Sequence, residues 1–236
     1  IYSRIKGSQE VDILRTVYRQ SVRYSTMILL PFALFLIIYG QPFMILFFGS
    51  AYSGGGIYLT AMALGTLVVG MGWTGNVLSS QGDSRYTGLM GILTSVVAAA
   101  IAIATVPTLG LLAYVLAGNL AVMPAYVLLV RRARSDLGIS PPYSYVAPFY
   151  GALLLSGLVS AGLLVANLAP VIEVVGGAFV VAISFVVFCV VLRALTPVDA
   201  IRLREMLSTQ RVVSKLAGPL ISLLGRIIRF VQRVEE

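Results

Sequence analysis

Residues 30–52 read LPFALFLIIYGQPFMILFFGSAY. The stretch carries no charge. It holds Pro31 near its start, a Gly40-Gln41-Pro42 interruption at its middle, and Phe47, Phe48, Gly49 and Tyr52 at its end. Proline inside a helix removes one backbone hydrogen bond and clashes with the carbonyl four residues earlier. Water-soluble helices rarely tolerate that. A helix in a bilayer tolerates it, because neighbouring helices and polar side chains satisfy the freed carbonyl. The stretch therefore reads as a broken membrane-spanning helix beside a cavity, with Pro31, Gly40 and Pro42 as bending points.

Working outward, the whole chain has the same character. Of its 236 residues 58% are apolar and only 11% charged, and the mean hydropathy is +0.95. A soluble domain carries roughly a quarter charged residues, so this composition belongs in a bilayer. Histidine is absent and the only cysteine is Cys189. That excludes an internal disulfide framework and a Cys/His zinc site. Cys189 lies in an apolar run and reads as a small packing residue. The sequence opens on Ile1 with no visible signal peptide. The expectation is the C-terminal part of a longer multi-pass protein.

Residues 1–24 are basic and amphipathic, with Arg4, Lys6, Arg15, Arg19 and Arg23 set against Val11, Leu14, Val17 and Tyr18. They predict a helix lying along a membrane surface. Six stretches with little or no charge follow: Ser25–Phe48, Gly56–Ser79, Tyr86–Val106, Leu109–Val130, Val146–Leu168 and Val171–Leu192. Each is about 21 to 24 residues, enough to cross a hydrocarbon core of about 30 Å. The fold class expected is all-α and integral to a membrane. Residues 25–134 supply four spans, residues 135–193 two more, and residues 194–236 a basic tail. In that tail Thr196-Pro197-Val198-Asp199 has the pattern of a helix start. From Val213 onward apolar residues recur at helical spacing between Lys215, Arg226, Arg229 and Arg233. An interfacial helix is expected there.

Charge sorts the connections into two sets. Residues 49–55, 107–108 and 169–170 hold none. The first segment holds five Lys or Arg, the 80–85 connection one, the 131–145 connection three and the tail from Arg193 eight, which accounts for all 17. By the positive-inside rule the basic set, and both ends of this sequence, face the cytoplasm of a cell membrane. Topology and anionic membrane lipids thus explain the basic charge without nucleic acid.

No catalytic constellation, phosphate loop or metal-ligand spacing stands out among the nine acids. An enzyme is not expected. Polar residues within spans are costly unless they face a partner or a watery cavity. The candidate pathway residues are Gln41, Trp73, Asn76, Gln81 and Asn119, with Arg85 at the cytoplasmic mouth. For Asn76 and Asn119, helix–helix hydrogen bonding is an equal alternative. Gly65, Gly70, Gly72 and Gly75 read as close helix approach, Arg131-Arg132-Ala133-Arg134 as a topology anchor, and Glu173 as an interfacial carboxylate.

The order of motifs resembles one family. Arg23-Tyr24, Leu30-Pro31, Phe47-Phe48-Gly49-Ser50 and Tyr52 come first. Leu78-Ser79-Ser80-Gln81-Gly82-Asp83-Ser84-Arg85 follows, then Val106-Pro107-Thr108-Leu109-Gly110-Leu111-Leu112-Ala113. Together, over residues 1–134, they resemble the C-terminal half of the polysaccharide flippases. These are the O-antigen and teichoic-acid type of the multidrug/oligosaccharidyl-lipid/polysaccharide exporter superfamily. The chain departs from the family pattern in its delayed Arg85, in Leu111-Leu112 of the second hairpin, and in its long amphipathic tail. The resemblance implies part of a two-lobed transporter of about fourteen helices. Its substrate would be a lipid-linked oligosaccharide, its partners glycan-assembly proteins, and its cofactors none, with coupling to Na+ or H+ left open. A multidrug or cation exporter of the same superfamily, a six-span scaffold subunit, and an intramembrane enzyme with its catalytic residues elsewhere are the alternatives.

Overall fold

The computed structural model describes residues 8–68, 70–164, 168–195 and Asp199. Every long element among them is helical: α1 (Ser8–Phe48), α2 (Gly56–Thr66), α3 (Gly70–Ser80), α4 (Ser84–Leu109), α5 (Leu111–Leu137), α6 (Tyr143–Leu164) and α7 (Pro170–Val191). A short 3₁₀ turn, Ser50–Gly55, joins α1 to α2.

The opening stretch belongs to α1, which organises the bundle. At 41 residues it is about 60 Å long, twice a hydrocarbon core. The expected boundary near Tyr24 is therefore not a break. Charge ends at Arg23, but a change from charged to apolar residues does not stop a helix, and no glycine or proline lies between Ser8 and Leu30. The basic turns do not lie alone on a surface either. Leu14, Tyr18 and Val22, spaced four apart on one face, are buried against Val77, Ile139 and Val146. Within α1 the one non-helical residue is Tyr39 (φ −106°, ψ 16°). It sits three residues before Pro42, whose ring blocks the regular bond to Ile38. Pro31 lies in unbroken helix.

Two helical groups pack on α1. On one side the α6–α7 hairpin meets Leu30, Leu34 and Tyr39 through Phe149, Ala152, Leu153, Val181, Phe185 and Cys189. On another, α2 and α3 run back along α1. Gly56 lies against Gln41, and the Tyr18 and Thr74 hydroxyls are 2.9 Å apart. Those two contacts are separated by about 35 Å along α1. The α4–α5 hairpin packs on this pair. Its inner face on α5 is a stripe of alanines four apart, Ala113, Ala117, Ala121 and Ala125, all buried. Small residues at that spacing let helix backbones approach closely. Among α4's residues only Ala102 is buried, so the outer face of α4 is open and apolar.

Among the described residues five helices are long and apolar enough to cross a membrane: α1 and α4 to α7. Six were expected. The difference is the Gly56–Ser79 stretch, which forms two helices of 11 residues each, about 16 Å apiece. Neither crosses a bilayer alone. Other boundaries shift modestly. Helix α5 continues through Arg131–Arg134 to Leu137 and stops where Gly138 takes the left-handed conformation (φ 62°). The expected tail helix from Val213 and the start signal at Thr196-Pro197 lie outside the described residues. Asp199 is described and buried.

Candidate polar face along the broken helix

The break between α2 and α3 frees backbone groups, a side chain from another helix meets one of them, and further side chains tie α2 to its neighbours. The Tyr150 hydroxyl on α6 donates to the Leu67 carbonyl at the break. The Asn119 Nδ2 on α5 donates to the Ala61 carbonyl of α2 at 2.6 Å. Asn119 fits there because Gly65 has no side chain, and its carboxamide fills the space a Cβ would take. At the α1 bend the Thr60 hydroxyl donates to the Ile37 carbonyl at 3.3 Å. In hydrocarbon each unmet backbone group costs several kcal/mol, so the Tyr150 bond helps make the break tenable, while Asn119 ties α5 to α2 and Thr60 ties α2 to α1.

Two cavities open between the broken helix and the α4–α5 hairpin. One, about 270 Å³, is lined by Gly75, Asn76, Thr87, Thr94 and Tyr126 among others. The second, about 450 Å³, is lined by Met62, Ser95, Ala98, Tyr114, Gly118 and Asn119. Asn76 and Asn119 thus belong to one side of the bundle, although they line separate cavities. Asn76 is exposed, whereas Asn119 is half-buried with its amide engaged.

The remaining predicted residues are elsewhere. Trp73 turns toward α1, and its Nε1 donates to the Ser25 hydroxyl at 2.8 Å. Gln41 is exposed at the uncharged end of α1, where its backbone abuts Gly56. Arg85 is exposed in the first turn of α4, at the basic end. Gln81 is half-buried in the turn before α4. Gln41 and Arg85 therefore mark opposite ends of the broken helix and do not share a cavity.

No protein-family model, curated protein or solved structure matches the chain. The site must be read from its own chemistry.

Sequence reasoning missed a group of tyrosines. Tyr126, Tyr143 and Tyr150 line a third cavity of about 250 Å³ with Thr26 and Val68, directly at the break. The Tyr126 and Tyr143 hydroxyls are 3.5 Å apart. Tyrosine in an apolar run carries no motif, and the break that gives these residues a partner was not foreseen. Near the basic end an ion-pair cluster fixes the α4–α5 hairpin. Arg132 Nε lies 3.0 Å from Asp83 and 2.9 Å from Asp136, with its guanidinium over the Tyr86 ring. Within the Arg131–Arg134 run, Arg132 is thus a structural clamp.

Proposed function

We propose that the chain is part of a membrane transporter that carries lipid-linked oligosaccharides across a cell membrane by alternating access. The observation that carries this reading is the broken helix. Its two halves together follow about 35 Å of α1, enough for a sixth crossing. Its interruption places polar side chains and tyrosines beside cavities at depth. Discontinuous helices of this kind mark substrate paths in transporters, because irregular backbone persists in a membrane only where protein or a watery cavity meets it. The order of the Leu30-Pro31, Phe48-Gly49, Gln81–Arg85 and Pro107–Gly110 motifs supports the polysaccharide flippase type in particular. In this reading the bend at Tyr39 is a hinge, Asn76 faces the sugar, and Arg85 meets the phosphate link at the cytoplasmic mouth.

A second reading has a specific observation in its favour. Asn119 and Trp73 are already bonded to Ala61 and Ser25, as expected of a scaffold subunit whose polar residues only join helices.

Reconstitution into liposomes with a fluorescent lipid-linked oligosaccharide separates the two. Asn76→Ala and Arg85→Ala should each slow translocation about tenfold while membrane insertion and unfolding midpoint stay unchanged; tenfold corresponds to one hydrogen bond to a charged group. Wild-type rates in both variants, or no translocation by the wild-type protein, would favour the scaffold.

A further inference from the structure

A cavity of about 200 Å³ opens at the basic end of the bundle, lined by Thr16, Arg19, Gln20, Arg23, Tyr24, Tyr145 and Asp199, with the Tyr24 hydroxyl donating to Asp199 Oδ1 at 3.4 Å. It is distinct from the broken-helix face. Thr16, Gln20 and Arg23 lie about half a turn around α1 from Leu14, Tyr18 and Val22, which pack toward α3.

Its two cations are held in place but not saturated. Arg23 uses one nitrogen for its protein contacts. Nη2 donates to Asp199 Oδ2 at 2.6 Å and to the Ala194 carbonyl at 2.7 Å. Arg19 rests over the Tyr145 ring, 5.7 Å from guanidinium to centroid. Among the described residues no acceptor meets Arg19, nor Nη1 and Nε of Arg23. Among the described residues two guanidinium groups face one carboxylate, one positive charge in excess. The Thr16 hydroxyl gives its proton to the Asp12 carbonyl at 2.8 Å, so the free donors here are Arg19, Arg23, Gln20 and Tyr145.

The cavity sits where charge ends on α1, since no charged residue follows Arg23 before Phe48. It also lies beside the start of α6 and the chain just beyond α7. Arginine and tyrosine at the edge of an apolar slab occupy the lipid headgroup layer. Forked N–H donors with one surplus positive charge suit a phosphate, which accepts two parallel bonds from a guanidinium. We infer that this cavity binds the phosphate of an anionic membrane phospholipid, with Asp199 orienting Arg23 and the Tyr145 ring carrying Arg19. The site does not depend on whether the chain moves a lipid-linked sugar.

The test is native mass spectrometry of the full chain, delipidated and titrated with phosphatidylglycerol, with phosphatidylcholine, and with inorganic phosphate as competitor. The wild-type protein should bind its first phosphatidylglycerol about fivefold or more tightly than phosphatidylcholine, the equivalent of one basic contact at a charged membrane surface. Arg19→Gln should bring that ratio close to one. Arg131→Gln, which removes an exposed cation outside the cavity, should leave it unchanged. Equal loss in both variants would mean that diffuse surface charge binds the lipid, and would overturn the site. Displacement of phosphatidylglycerol by millimolar inorganic phosphate would overturn the lipid as occupant in favour of a soluble phosphate. No preference in the wild-type protein would overturn both.

Discussion

Gly177→Ala tests the packing that joins α7 to the bend in α1. A Cβ at position 177 would fall 2.6 Å from Cε2 and Cζ of Tyr39 and 2.7 Å from Cε1. Real carbon contacts lie near 3.5–4.0 Å, so the ring must move by about 1 Å. It has little room, since Tyr39 is 0% exposed and its hydroxyl donates to the Ser160 carbonyl at 2.9 Å. Overpacking of this kind costs about 1–3 kcal/mol. Loss of the hydroxyl bond would add about 1 kcal/mol. The expected destabilisation is about 2–4 kcal/mol, read as a lowered midpoint in sodium dodecyl sulfate unfolding from mixed micelles. Gly91→Ala is the control, because nothing lies within 4 Å of that position; it should be neutral or stabilising by up to about 1 kcal/mol, the gain of alanine over glycine inside a helix. Tyr39→Leu combined with Gly177→Ala should show a favourable coupling of about 1 kcal/mol or more. A Gly177→Ala midpoint equal to that of Gly91→Ala, or zero coupling in the cycle, would refute the packing argument.

Two further outcomes follow from single residues. Gly110, between α4 and α5, has φ 61° and ψ −150°, a region essentially closed to residues with a Cβ. Gly110→Ala should therefore cost about 2 kcal/mol in the same unfolding assay although the space around it is open; a neutral result would mean that the turn has another conformation. Trp73→Phe should cost about 1 kcal/mol through loss of the Ser25 bond and leave translocation by the reconstituted protein unchanged. A large transport defect with normal stability would return Trp73 to the substrate path.

Hydropathy located α1 and α4 to α7 because each is a long uncharged run, and length in a bilayer is set by thickness. Ends were less legible wherever charge stood in for a stop signal. Helix α5 ran seven residues past Val130, to Leu137, because arginines are good helix formers and only Gly138 turns the chain. The same error split α1 at Tyr24. The break in the second stretch was illegible for a different reason. Residues 65–70, GTLVVG, are as apolar as any span, so hydropathy runs straight through them. Glycines flanking the four residues TLVV are a weak signal for a break. The group that makes the break tenable, the Tyr150 hydroxyl, comes from a helix 83 residues away in sequence. Gly65 did read as close helix approach, and Asn119 fills its vacant space.

The polar residues inside the bundle therefore do two different jobs, and the backbone tells them apart. Asn119, Thr60 and Tyr150 donate to carbonyls of α1, α2 and the break, and Tyr39 to one of α6. Each stands at or beside a place where a helix is bent, broken or closely approached. Removing such a donor takes away a bond between helices, so the fold alone accounts for it. Asn76 and Arg85 differ, Asn76 being exposed beside a cavity and Arg85 exposed in the first turn of α4. An exposed carboxamide beside a cavity in an apolar helix has no packing reason to persist, because alanine would pack there at lower desolvation cost. On the transporter reading these two are the substrate contacts, while Asn119 sets the shape of the wall. The reading then predicts opposite signatures from chemically similar changes: Asn119→Ala lowers stability before transport, and Asn76→Ala lowers transport alone.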